Sequence, residues 1–504
     1  MEQPTWRRVE SQPAARARSA PISLFQCQLH LAGTIRRMNS DLDRISQWLS
    51  SHEDDLLADT QAMLRIPSVK EPATKGAPYG KPCALALEFA LDLASKYEFS
   101  TKNLDNQVGF GEFGSGKPLI VSLGHLDVVP VGPGWKFQPF SATIFDGYIY
   151  SRGAVDDKGP TMASFYAARA IKECCPDLAA RIRVVFGCDE ESGMTCVERY
   201  NETEEVPTFG VAPDSMWPLV HAEKGICDLF IEVPVPKGSI DLLALSGGDR
   251  LNIVIDRTQA TIRVDSSALA WVKEKVHDSW DNNVKATWIS DDRLEIECIG
   301  KAAHGSTPFY GDSAATRLFR FLAEISSIES QPFYSYLLKM THPSGVGLGI
   351  HGQDETSYDL TNNTGVVSLT DGRVKLSVNV RYPVTWRGDN VRAMCETFLT
   401  REPFGARLFD FHDSPSLFFP LEHPLVSIIA NEYREMTGDL TPPGVMGGGT
   451  YARKIANTVS IGTGWPGDGE AHQTNERLKV DHLFKMSQIY ARILLKLAQA
   501  AANS

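Results

Sequence analysis

Residues 118–127 read PLIVSLGHLD, an apolar run that breaks at Gly124 and delivers His125 and Asp127. A run this short, closed by a glycine, reads as a β-strand. Two later runs deliver polar residues in the same manner. Ile182 to Phe186 (IRVVF) leads into Glu190 and Glu191, and Phe209 to Ala212 leads into Asp214. Between the first two, Gly159-Pro160-Thr161 opens a predicted helix running to about Glu173, with Pro160 in its tolerant first turn. Strand, helix, strand with polar residues at the strands' carboxyl ends is the layout of an open α/β sheet, whose ligands bind outside those ends. The spacing therefore gathers His125, Glu190, Glu191 and Asp214 round one crevice.

Working outward, Asp156 lies between the first two strands, and His472 lies 258 residues beyond Asp214. A structureless loop of that length is not credible in a compact domain. The expectation is an α/β catalytic domain, residues 41–222 and 417–504, with an inserted α+β lid at 223–416. Candidate seams are the Pro-rich Val233-Pro234-Val235-Pro236-Lys237-Gly238 on the way out and Ser414 to Pro424 on the return. The insert has predicted strands at Leu294 to Ile299 and Val374 to Val380, and amphipathic helices near Ala314 to Ile325 and Asn390 to Leu399. Upstream, apolar spacing predicts a helix from an N-cap at Asp41 through Leu42, Ile45, Trp48 and Leu49 to Met63, and a second from Cys83 to Lys96.

Composition bounds the function. The chain has 504 residues, too many for one ordinary core, with 42% apolar and 22% charged residues. A net charge of -12 argues against a nucleic-acid partner, which needs a basic face. No apolar run approaches the roughly 18 to 20 residues that span a bilayer. Nine irregularly spaced cysteines without a C-x-x-C pair read as reduced, mostly buried thiols of a cytoplasmic protein. Residues 1–40 stand apart: Arg7, Arg8, Arg16, Arg18, Arg36 and Arg37 face only Glu2 and Glu10. Such a segment is a transit peptide to an organelle, a disordered extension, or a consequence of a start upstream of Met38.

His125, Asp156, Glu191, Asp214 and His472 form a donor set of two imidazoles and three carboxylates, suited to a pair of divalent cations, zinc first. Each motif has an ordinary reading when taken alone. Asp156-Asp157 before a helix could be a cap, Asp189-Glu190-Glu191 a solvated acidic turn, and His472 an exposed loop residue. Together they allow more. One of two adjacent acids between glycines can bridge two cations. One of two adjacent glutamates can bind metal while its neighbour takes a proton from water. Asp127 could orient His125, as carboxylates beside metal-bound imidazoles do.

The motifs GHLDVVP, SRGAVDDKGPTMA, CDEESG, APD, AAHGSTP, NVRYP, GGGTYAR and EAHQTNE occur in this order from Gly124 to Glu476. In them the chain resembles the di-zinc metallopeptidases, a family that includes aminoacylhistidine dipeptidases, carnosinases, carboxypeptidases, acetylornithine deacetylases and aminoacylases. The likeness runs from about Asp41 to the C-terminus. It is greatest to the broad-specificity dipeptidases of lactic-acid bacteria.

The resemblance implies one zinc on His125 and Asp214, a second on Glu191 and His472, and Asp156 bridging both, with manganese or cobalt as alternatives. It implies a cis peptide at Asp156–Asp157, Glu190 as the general base acting on a bridging water, and Asp127 orienting His125. His304 would stabilise the oxyanion from the lid. Arg381 and Asn252 would hold the substrate's carboxylate and backbone, aided by Gly448, Gly449 and Thr450. The implied activity is hydrolysis of dipeptides with a free carboxylate, by a monomer or, alternatively, a homodimer. An N-acyl amino-acid deacylase or carboxypeptidase on the same site is the alternative. A metal-free binding module would have lost a ligand or the base, and all six positions are filled.

Overall fold

The computed structural model describes residues 40–279 and 281–503. The Arg-rich segment therefore lies, but for Ser40, outside the described residues, as does Cys27. The other eight cysteines are all free thiols, and only Cys174 is not buried.

The chain builds two sheets with separate cores. The first, nine-stranded, runs in the order Ser100–Leu104, Val108–Gly114, Arg181–Gly187, Leu119–His125, Phe209–Ser215, Thr458–Gly462, Leu219–Glu223 and Leu417–Phe418, with Gly444–Met446 also paired to Leu219–Glu223. Its middle is parallel: Leu119–His125 lies between Arg181–Gly187 and Phe209–Ser215, and Thr458–Gly462 extends that block. All seven residues of Leu119–His125 are buried, as expected of a strand covered on both faces. The helices Lys158–Cys174 and Val480–Ala502 pack on each other and against this strand.

The second sheet has eight strands, all antiparallel, and spans Gly225 to Ser414. Its strands alternate. In Arg293–Ile299 every second residue is buried, so one face packs on helices such as Ala314–Ile325 and the other meets water. Its core, from Cys227 to Ala406, shares no residue with the first.

Two boundaries differ from expectation. The chain leaves the first sheet at Glu223, not at the Pro-rich stretch, because Gly225–Pro234 is already a strand inside the second sheet. Val233 is fully buried there, and Pro234 sits at the strand end, where a missing N–H is tolerated. At the other end, the chain is helical already at 40, so Asp41 lies within the helix and pairs with Arg44 instead of capping.

Candidate metal centre

Parallel strands bring their carboxyl ends to one edge, and the predicted donors stand there. Leu119–His125 ends on His125, Arg181–Gly187 runs into the turn with Glu190 and Glu191, and Phe209–Ser215 carries Asp214. The turn before helix Lys158–Cys174 supplies Asp156, whose peptide bond to Asp157 is cis. The loop between Thr458–Gly462 and Arg477–Lys479 supplies His472. Close packing keeps strand and helix in place: a Cβ on Gly124 would lie 2.0 Å from Oγ1 of Thr161.

Asp156 stands between the two imidazoles. Its Oδ1 is 2.9 Å from Nε2 of His125 and its Oδ2 is 3.0 Å from Nε2 of His472. Nε2 of His472 is also 3.0 Å from Oε2 of Glu191. Ligand atoms of His125, Asp156 and Glu191 lie within 4.8 Å of one another, as do those of His125, Glu190 and Asp214. Oε1 of Glu191 is buried and has no hydrogen-bond partner, an oxygen left over for a cation. Donor chemistry and this orphaned oxygen both fit a metal centre.

The electrostatics point the same way. Burial, with Glu191, Asp127 and Asp156 adding repulsion, pushes the Glu190 carboxyl up to about 7. Burial, then Asp156 and Glu190, raises Asp214 well above the carboxylate range. Asp156 goes down: burial opposes its charge, but hydrogen bonds from His125 and His472 prevail. Hydrogen bonds to Asp156 and Glu191 lift His472 to about 10. So many carboxyls in one buried place are compatible only through shared protons or a cation.

Asp127 does not orient His125 in the way expected. Nδ1 of His125 is 2.9 Å from the carbonyl oxygen of Asp127, whereas the Asp127 carboxylate is 3.6 Å away, too far for a hydrogen bond. Sequence reading also missed Tyr451, although it lies in the GGGTYAR motif. Fully buried, its ring stands edge-on to His125 at 6.0 Å and so walls that imidazole.

The lid residues form a second group. Arg381, 5% exposed, donates from Nε to Oδ1 of Asn379 at 2.9 Å and from Nη1 to the carbonyl of Gly447 at 3.1 Å. His304 is exposed, with Nδ1 2.7 Å from Oγ of Ser306. The next residue, Gly305, donates its N–H to the carbonyl of Asn252 at 2.6 Å. A Cβ on Gly447 would lie 3.0 Å from Cβ of Ser306, so lid and catalytic domain meet at this glycine. Thr450 departs from its expected role. Its N–H and hydroxyl go to Oε2 and Oε1 of buried Glu223, at 3.2 and 2.7 Å, and are committed inside the domain. Of the expected loop donors, Gly448 and Gly449 remain.

Among the described residues, no helix is long and apolar enough to cross a membrane. Comparison with known proteins shows the family. The model of the peptidase family M20/M25/M40 matches residues 121–496. "Putative dipeptidase YtjP" of Bacillus subtilis (strain 168) is 36% identical over 460 residues, covering 89% of this chain and 98% of its own. "Putative dipeptidase MW1694" of Staphylococcus aureus (strain MW2) is 30% identical, with coverage of 89% and 98%. In fold, the chain is similar to the aminoacylhistidine dipeptidase from Vibrio alginolyticus, at a TM-score of 0.52 and 14% identity over 88% of this chain and 96% of that one. It is also similar to the dipeptidase Dug1p from Saccharomyces cerevisiae, at 0.51 and 14% over 91% and 98%. The chain belongs to the peptidase family M20/M25/M40.

Proposed function

We propose that this peptidase hydrolyses dipeptides bearing a free carboxylate, with Glu190 as general base. The observation that carries the reading is the placing of the half-buried Glu190, whose carboxylate lies within 4.8 Å of ligand atoms of His125 and Asp214. A carboxylate so placed can take a proton from water activated beside it and release it again. The dipeptidase names of the relatives support the substrate class.

His125 and Asp214 would hold one divalent cation and Glu191 and His472 another, zinc by donor type, with Asp156 between them. Bound there, the cations supply Lewis acidity and lower the pKa of water towards neutrality. Glu190 accepts the proton of the attacking water and returns it to the leaving amine. The Arg381 guanidinium, a planar fork suited to a carboxylate, holds the substrate's free end. His304 lends an N–H to the oxygen that gains charge. Since His304 and the metal donors belong to one chain whose lid touches its own Gly447, we propose a monomer, to be checked by light scattering.

The test is a hydrolysis panel, with zinc, manganese or cobalt added, over free dipeptides, tripeptides and N-acetylated amino acids. Free dipeptides are expected to be cleaved fastest. Preference for N-acetylated substrates would replace the reading with that of a deacylase. In the same assay Glu190→Gln is expected to bind metal as before and to lose about 10³-fold or more in kcat. Normal turnover by that variant would sink Glu190 as the base.

A further inference from the structure

Arg152 and Glu476 belong to neither the donor set nor the lid group, yet they are among the most deeply buried charges in the molecule. Their side chains are 1% and 0% exposed, with Nη1 of Arg152 2.7 Å from Oε2 of Glu476. Burying an ion pair is costly unless its remaining polar atoms are also bonded. Nε of Arg152 has no partner, but the other polar atoms are bonded, and those bonds reach the loops of Asp156 and His472. Oε1 of Glu476 accepts the N–H of Val155 at 2.9 Å and of Asp156 at 3.2 Å. Arg152 donates to the carbonyls of Gln473 at 3.3 Å, His472 at 3.4 Å and Pro130 at 3.3 Å.

The grip is reciprocal. Glu476, on the loop of His472, holds the amide of Asp156. Arg152, on the segment of Asp156, holds the carbonyl of His472. Beside them, Tyr148–Tyr150 pairs antiparallel with Arg477–Lys479, and Ser151 donates its N–H to the carbonyl of Glu476 at 3.2 Å. His472 has φ +63°, a left-handed conformation that a non-glycine residue keeps only where its surroundings hold it.

We propose that Arg152 and Glu476 are a positioning pair that locks the segment of Asp156 to the loop of His472 and thereby sets how tightly the metal centre holds its ions. The inference rests on the two-ion reading above. A fold-stabilising ion pair alone would not require hydrogen bonds to the amide of one ligand and the carbonyl of another.

The test uses Arg152→Met/Glu476→Leu, which removes both charges together and so leaves no unpaired buried charge, although the N–H groups of Val155 and Asp156 lose their acceptor. The full chain is stripped with a chelator and titrated with zinc alone against a chromophoric competitor, and the zinc-free melting temperature is measured in parallel. The double variant is expected to fold with a lowered zinc-free melting temperature and to bind zinc more weakly by on the order of 10- to 100-fold. Wild-type zinc affinity in the folded double variant would overturn the proposal.

If that variant does not fold, Arg152→Lys decides. A lysine keeps the charge but cannot reach all the carbonyls of the fork, so zinc affinity is expected to fall. Unchanged affinity in it overturns the pairing role. A wild type that binds fewer than two zinc ions would sink the two-ion reading and this inference together. Two ions bound equally well by wild type and double variant would sink the inference alone.

Discussion

Oδ1 of Asp127 accepts the backbone N–H of Glu190 at 3.2 Å, and Oδ2 takes that of Glu191 at the same distance. The carbonyl of Asp127 takes Nδ1 of His125. One residue therefore ties His125 at the end of one strand to Glu190 and Glu191 in the turn after the next. Asp127→Asn keeps the carbonyl but turns one acceptor into an N–H that faces another N–H. The expected result is a loss on the order of 10- to 100-fold in kcat or in zinc affinity, with KM nearly unchanged. Steady-state kinetics and zinc titration check it. Unchanged values would mean that the carboxylate does not hold the Glu190 turn.

The placing of His125, Glu190, Glu191 and Asp214 at strand ends was legible because parallel strands are short, apolar and end in polar residues, and that pattern survives in sequence. His472 was legible only through the gap before it. Thr450 was misread because its partner, Glu223, lies 227 residues away, and nothing local marks that hydroxyl as taken. Arg152 and Glu476 escaped for the same reason: they act through backbone groups brought near by folding. The Val233–Gly238 stretch looked like a linker by its prolines, yet strand pairing tolerates proline at its ends. The insertion was read from length, whereas the place of the Pro-rich stretch inside a strand needed the sheet.

Removal of metal makes stability depend on pH in a definite direction. Glu190 and Asp214 have folded-state affinities for protons above their unfolded ones, so the folded metal-free chain holds more protons. Their stabilising protonation is complete below about pH 4 and is lost as pH rises, for Glu190 through about 7. His472, lifted to about 10, contributes with the same sign: full below its unfolded value, lost at alkaline pH. Asp156 opposes this only in acid, where protonation removes its contribution. Metal ligation needs deprotonated donors and strengthens with pH. The melting temperature in chelator is therefore expected to fall from pH 5.5 to 8, while the gain on adding zinc widens by on the order of 5 °C or more. A zinc-induced gain that shrinks with pH would contradict the donor assignment.

Arg381 offers a test of the substrate's free end. Burial, with Arg453 adding repulsion, lowers its affinity for a proton to about 10, so it stays charged at neutral pH. Two of its N–H groups are fixed by Asn379 and Gly447, which aims the remaining fork. Arg381→Lys keeps the charge but loses the fork, and KM for free dipeptides is expected to rise on the order of 10- to 100-fold. For the matching dipeptide amides, which lack that carboxylate, KM should scarcely move. Equal losses on acids and amides would remove Arg381 from carboxylate recognition.

His304 carries a defined tautomer. The backbone N–H of Ser306 donates to Nδ1 of His304 at 3.2 Å, so that nitrogen is an acceptor and Nε2 bears the proton of the neutral ring. Partial desolvation of the ring, and then the positive charge of Arg381, lowers its proton affinity below the ordinary histidine value. A neutral ring with a fixed Nε2–H can donate to a developing oxyanion without titrating in the working range. His304→Ala is expected to lower kcat by on the order of 10²- to 10³-fold while leaving zinc affinity unchanged. Ser306→Ala keeps the backbone donor to Nδ1, so its loss should be only a few-fold. The wild-type rate should not drop as pH rises through the ordinary histidine range, because the donor is the neutral form. A rate that does drop there, or a His304→Ala variant with normal kcat, would remove His304 from the reacting centre.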